Sequence, residues 1–172
     1  VDGDLVSRTE LFDETALDAA LARFDELSRR APRLENAASR ADHRFNKLFA
    51  DRRWDEIAAV LTGDIRVEDR RAGLRREAVF DPVNGVAEIK AMADLGVQTM
   101  SSAVIATRGD RLALCRTRYS GRDQRPEAFH TEILRITETN ADEEVVASIA
   151  FDVDDFDAAL AELDARYLAG EA

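Results

Sequence analysis

The sequence predicts an α+β fold, with helices packed on one face of a curved antiparallel sheet. Two observations carry this expectation. Apolar residues recur at helical spacing through the first half of the chain and again at its end. After Gly96 the period falls to two and holds through four runs separated by polar turns. The resulting order is helix, helix, strand, helix, four strands, helix, after a first strand and helix.

Each element has a local reason. Val1 to Thr9 reads as a strand with a turn at Asp2-Gly3-Asp4. Asp13 caps a helix carrying Leu17, Leu21, Phe24 and Leu27 on one face. The polar stretch from Ser28 to Arg33 contains Pro32 and reads as a break or linker. A helix from about Leu34 to Asp51 presents Ala38, Ala41, Phe45, Leu48 and Phe49. A short helix from Trp54 to Leu61 ends at Thr62-Gly63, and Ile65 to Asp69 is a strand. Arg70 to Arg76 reads as a loop around Gly73, and a helix from Val86 to Leu95 stops at Gly96. Strands follow at Val97 to Thr107, Leu112 to Ser120, Glu127 to Thr137 and Glu144 to Phe151, and the last helix begins near Asp152.

The beginning of the chain resembles its end. FDETALDAALARFDEL from Phe12 aligns with FDVDDFDAALAELDAR from Phe151, each preceded by a strand-like run. Missed repeats mislead a fold assignment. The repeat implies that residues 1–30 are the terminal strand and helix of a preceding similar domain, 31–33 a linker, and 34–172 one whole domain.

Composition narrows the function. The 172 residues carry a formal charge of −11, which opposes general binding to nucleic-acid phosphates. No apolar run is long enough to span a membrane and no signal peptide opens the chain, so a cytoplasmic location is expected. A single cysteine, Cys115, excludes an intrachain disulfide and a multi-cysteine zinc site. The acidic run Asp152, Asp154, Asp155 and Asp157 lacks the glycine and terminal glutamate of a calcium loop and sits where a helix N-terminus favours carboxylates. Neither a metal nor a cofactor is expected.

The element order, together with FADRRWDEIAAVLTGDIRVEDRRAG from Phe49 to Gly73, resembles the nuclear transport factor two-like superfamily, which includes SnoaL-type cyclases and ketosteroid isomerases. The resemblance covers about Leu34 to Arg166 and implies a cone-shaped α+β barrel that pairs as a homodimer through its outer sheet surface. It implies that Asp69, in VEDR, stands where the isomerases keep a general base, and that Glu132 stands where they keep a protonated acid. Phe45 stands where they keep a tyrosine, so half of the oxyanion hole is missing, and each such donor is worth about 3 kcal/mol.

Strand alternation places the remaining candidates. With Ser120 and Glu127 near the hairpin end, His130 and Glu132 share a helix-covered face with Tyr119, Thr117 and Cys115. His130 joins Glu132 as a candidate acid, or the two form a satisfied polar pair. Asp69 is a candidate base, or an ion-pair partner of the arginine loop. Phe45, Phe49, Trp54, Met92, Cys115, Thr117 and Tyr119 are the candidate ligand contacts, with Cys115 also readable as a small buried hydrophobe. Arg70 and Arg71 could receive an anion. The sequence thus reads as an accessory small-molecule-binding or dimerisation domain of a multidomain bacterial signalling or regulatory protein, its partner a small apolar or anionic molecule. The alternative is a proton-transfer enzyme, of isomerase, cyclase or dehydratase type, with Asp69 as base.

Overall fold

In a computed structural model the chain divides into two units, residues 1–33 and 34–172. The structure describes residues 10, 12–13, 16–30, 34–121 and 130–170, with side chains omitted for 24–30. The expected first strand and the linker at 31–33 lie outside the described residues. In the first unit, helix α1 runs Leu17–Arg30. A turn precedes it, with the Ala16 amide donating to the Asp13 carbonyl at 2.9 Å. The equivalent turn recurs in the second unit, where the Asp155 amide donates to the Asp152 carbonyl at 3.0 Å.

The second unit starts from Asn36, which caps helix α2 (Ala37–Ala50) by accepting from the Ser39 amide. Its amide nitrogen also donates to the Gly109 and Leu112 carbonyls, at 3.2 and 2.9 Å, so one side chain both begins the helix and docks it on a hairpin turn. Helix α3 (Trp54–Ala58) follows, then β1 (Leu61–Asp69), β2 (Arg76–Phe80) and α4 (Pro82–Asp94). The remaining elements are β3 (Thr99–Arg108), β4 (Leu112–Ser120), β5 (His130–Thr139), β6 (Val145–Phe151) and α5 (Phe156–Leu168).

The six strands form one sheet in the order β2-β1-β6-β5-β4-β3, antiparallel except for the parallel pair β1 and β6. Strand β1 begins earlier than the apolar run from Ile65 suggests, because Leu61 already lies beside Val145. The loop expected over 70–76 ends in strand β2, whose charged sequence gives little strand signal but which forms an edge against β1. Helix α4 starts at Pro82 with Asp81 as cap, so Asn84 and Gly85 lie inside it. Gly85 has a steric reason: a Cβ there would stand 3.2 Å from Leu61 Cδ1, within a close crossing of α4 on β1.

Both faces of the sheet are covered. Helices α2, α3 and α4 lie on the inner face over Phe49, Ile57, Leu61, Ile65 and Ile89. Helix α5 covers the outer face, where Leu112, Leu134, Ile136 and Ile149 meet Ala159 and Leu163. Arg166 fastens α5 there by donating to Glu138 at 2.8 Å and to Glu68 at 3.3 Å. The outer surface through which pairing was expected is therefore overlaid by α5 across its central strands.

Between α2 and α3 the backbone enters the left-handed region at Arg52, with φ of 58°. The Arg52 guanidinium lies 4.7 Å from the Phe49 ring centre and donates to the Val97 carbonyl at 2.9 Å, tying this turn to the segment after α4. Replacing Arg52 by alanine keeps the backbone strain and loses both contacts. The expected loss is about 1–3 kcal/mol in urea denaturation.

Candidate functional site

The inner helices do not fill the sheet's concave face. They leave a cavity of about 320 Å³. Its walls are apolar: Ile65 and Val67 from β1, Ile89 and Met92 from α4, and Ile133 from β5. Phe45 of α2 and Tyr119 of β4 also face it.

Charged groups line it as well, namely Asp42, Glu68, Asp69, Arg71, Arg76, Glu88 and Arg135, and two of them are deeply buried. Asp42, on the buried side of α2, and Arg135, at the centre of β5, form an ion pair with side-chain exposures of 1% and 8%. Arg135 Nη2 donates to Asp42 Oδ1 and also to Asn46 Oδ1, at 3.0 Å for the latter. Thr137 Oγ1 donates to the same aspartate oxygen at 3.2 Å, and Asn46 Nδ2 donates to Asp42 Oδ2 at 3.1 Å. Asn46 also reaches Ser102 at 2.8 Å, and Ser102 stands 3.1 Å from Thr117 Oγ1. Arg135 Nε is buried and has no hydrogen-bond partner among the described residues.

This network meets a steep requirement. Taking either charge out of water costs several kcal/mol, which the pair recovers only with good geometry and further hydrogen bonds. Burial opposes the charge of Arg135, but Asp42 beside it, together with Tyr119 and Cys115, outweighs that and holds the guanidinium above its ordinary range. The Arg135 guanidinium also stacks 5.8 Å from the Phe45 ring centre. Phe45, at the position of the expected tyrosine, thus packs on the cation of the floor.

The mouth is built differently. Asp69, at the end of β1, accepts from Arg71 Nε at 2.9 Å, from Arg71 Nη2 at 2.6 Å and from the Arg71 amide at 3.2 Å. Partial burial raises the Asp69 pKa, but these bonds outweigh it and hold the carboxyl below the ordinary aspartate range. The ion-pair reading of Asp69 describes its geometry. Arg76 at the same rim donates to Glu88 at 3.0 Å.

The other sequence candidates divide. Asp69, Arg71, Phe45, Met92 and Tyr119 line the cavity. Phe49 and Trp54 do not; they pack edge to face in the core, ring centres 5.9 Å apart. Cys115 and Thr117 are fully buried beneath the floor. Burial, and then Asp42, pushes the Cys115 thiol up to about 12, so it is chemically quiet. Arg70 points away, bonded to Glu68 and Glu162. The expectation for His130 and Glu132 is corrected by the register. Tyr119 pairs with Thr131, Thr117 with Ile133 and Cys115 with Arg135, which puts His130 and Glu132 on the opposite face. Glu132 there accepts from Arg116 at 2.8 Å, and His130 is exposed. Asp42, Asn46 and Arg135 take the central place. Their signal was present in the sequence: Asp42 and Asn46 are one turn apart within the apolar stripe of α2, and Arg135 interrupts Ile133, Leu134 and Ile136.

Comparison with known proteins places this geometry. No family model and no curated protein matches the chain. Solved structures do. A candidate ketosteroid isomerase from Kribbella flavida is 14% identical, with a TM-score of 0.51 over 67% of this chain and 76% of its own. An epoxide hydrolase from M. tuberculosis is 15% identical, with a TM-score of 0.51 over 78% of this chain and 96% of its own. A candidate isomerase from Bacillus subtilis is 11% identical, with a TM-score of 0.52 over 67% and 85%. The fold is thus the cone-shaped α+β fold of nuclear transport factor two-like proteins.

Two outcomes follow from the site. Asp42→Leu or Arg135→Met alone leaves one buried charge uncompensated and should cost about 3–5 kcal/mol in chemical denaturation. The double variant should lie much closer to wild type than their sum, as contacting charges are not additive. Asp69 has a lowered folded pKa, so its stabilising effect is complete above the unfolded value of about 3.9 and fades as pH falls through the folded value. Urea denaturation should show Asp69→Asn less stable than wild type at neutral pH, the gap closing in strong acid.

Proposed function

We propose that this domain is a small-molecule enzyme that performs general acid–base chemistry in the cavity. Asp42 is the base, and Arg135 stabilises negative charge developing on a substrate oxygen. The observation that carries this reading is the buried Asp42–Arg135 pair set beside the apolar walls of the cavity. Such a pocket with a few convergent polar groups is the usual form of a small-molecule site. Donors from Arg135, Thr137 and Asn46 fix the carboxylate in position, so little reorganisation is needed when a proton moves. Asp69, the base implied by the resemblance, lies at the mouth, where Arg71 covers both of its carboxylate oxygens. Tyr119, also on the lining, offers a hydroxyl donor to the substrate besides Arg135. Neighbours that include an isomerase candidate and an epoxide hydrolase support an enzyme, although this fold serves many functions and the site must carry the argument.

The terminal repeat favours a second reading. Here the domain is a non-catalytic ligand-binding or pairing module of a larger cytoplasmic bacterial regulatory protein, present in two copies.

A paired assay separates the two. The purified protein is incubated with decalone in D₂O, to follow exchange of its α-protons by NMR, and with the corresponding bicyclic epoxide in water, to follow diol formation. The enzyme reading expects acceleration of at least one reaction, with Asp42→Asn lowering the rate by about 10²–10⁴-fold while circular dichroism stays unchanged. Binding of both compounds without acceleration of either would remove the enzyme reading and leave the module.

A further inference from the structure

The charges around the cavity are not equally available to a ligand. At the mouth, Arg71 is taken up by Asp69 through two side-chain hydrogen bonds, and Arg76 is taken up by Glu88. Glu68, also on the lining, is held by Arg70 and Arg166. An anionic ligand would have to pull a guanidinium off its carboxylate, and a cationic ligand would have to do the reverse. At the floor the situation differs. Among the described residues both hydrogen bonds of Arg135 leave from Nη2, and Nε has no partner. Asp42 Oδ1 accepts from Arg135 and Thr137 while Oδ2 accepts from Asn46 alone, so the carboxylate keeps about one open acceptor site and the floor presents more open donors than acceptors.

Size sets a second limit. A dry apolar cavity of about 150 Å³ accepts a benzene ring. The 320 Å³ here is about twice that, which corresponds to roughly a dozen ligand heavy atoms. A four-ring steroid skeleton is too large to be enclosed.

We infer that the ligand of this cavity is an uncharged, largely apolar molecule of about a dozen heavy atoms whose one hydrogen-bond-accepting oxygen is met by the guanidinium of Arg135. A ketone, epoxide or cyclic ether qualifies; a carboxylate, a phosphate or a steroid does not. This rests on reading the cavity as the reaction site and adds the substrate class to it. The selectivity has a physical basis. A buried donor left without an acceptor penalises the isosteric hydrocarbon, whereas added methylenes in the apolar wall discriminate only weakly.

The test is a binding series on the wild-type protein, followed by NMR of the methyl groups of Ile89, Met92 and Ile133 on the cavity wall. The probes are decalone, its exomethylene isostere, the decalin carboxylate and a saturated steroid ketone. The expected result is that decalone moves these methyl resonances and binds at least about tenfold more tightly than the other three. Arg135→Lys, which keeps a cation beside Asp42, should reduce the preference over the isostere. Should that variant not fold, the wild-type order of affinities decides alone. Equal affinity for decalone and its isostere, or tightest binding of the carboxylate or the steroid, overturns the inference but leaves a working cavity. Failure of all four to move the methyl resonances overturns both the inference and the reading of the cavity as a site.

Discussion

The rest of this domain is arranged around one buried ion pair, Asp42 with Arg135. A guanidinium buried at the centre of a sheet face that carries no other charge beside it cannot stand alone, because the interior would not tolerate its charge. Helix α2 supplies the partner. Asp42 and Asn46, one turn apart, both reach Arg135, so the helix has a single rotational setting in which the charge is satisfied. That setting turns Leu48 and Phe49 into the core and brings Phe45 over the guanidinium. At the other end of α2, Asn36 holds the helix to the β3–β4 turn. The helix is thus pinned at its start by backbone carbonyls and at its middle by a charge.

The same interaction explains why a cavity persists. Apolar side chains can slide together until they fill space, but a charge-paired helix cannot move further onto the sheet without breaking its bonds. Helix α4 closes on β1 through Gly85, and the space between α4 and the Asp42–Arg135 pair stays open. This space is bounded by apolar walls and a polar floor. On the outer face the design is different. There the polar groups Arg166, Glu138, Glu68, Glu162 and Arg70 form a border that fastens α5 over a fully apolar patch. The two faces of one sheet serve separate purposes, a chamber inside and a cover outside.

The fold was largely legible because it rests on periodicity. The strand Leu112–Ser120 has the expected bounds, and the turn to period two after Gly96 marks β3 closely. The site was less legible, for two physical reasons. Alternation fixes which residues share a face but not which face is covered, and here both are. The register of β4 against β5 depends on a hairpin whose geometry one sequence does not determine. A one-residue difference moved His130 and Glu132 to the α5 side and brought Arg135 to the chamber. The second reason is that Asp42 and Arg135 are far apart in the chain, and each alone reads as a surface charge. Their burial becomes meaningful only when the sheet brings them together. Asp69 and Phe45, whose positions the family resemblance implies, and Tyr119, Met92 and Arg71 do lie on the lining.

The most direct test of this account is the exchange of the Arg135 Nε–H proton with solvent, read from a nitrogen-resolved NMR spectrum at neutral pH. An arginine sealed beneath helix α2 and bound to Asp42 predicts a resolved signal protected by orders of magnitude relative to an exposed arginine such as Arg53. Exchange at the rate of an exposed arginine would contradict it, because the guanidinium would then be in water and the floor of the chamber would not exist.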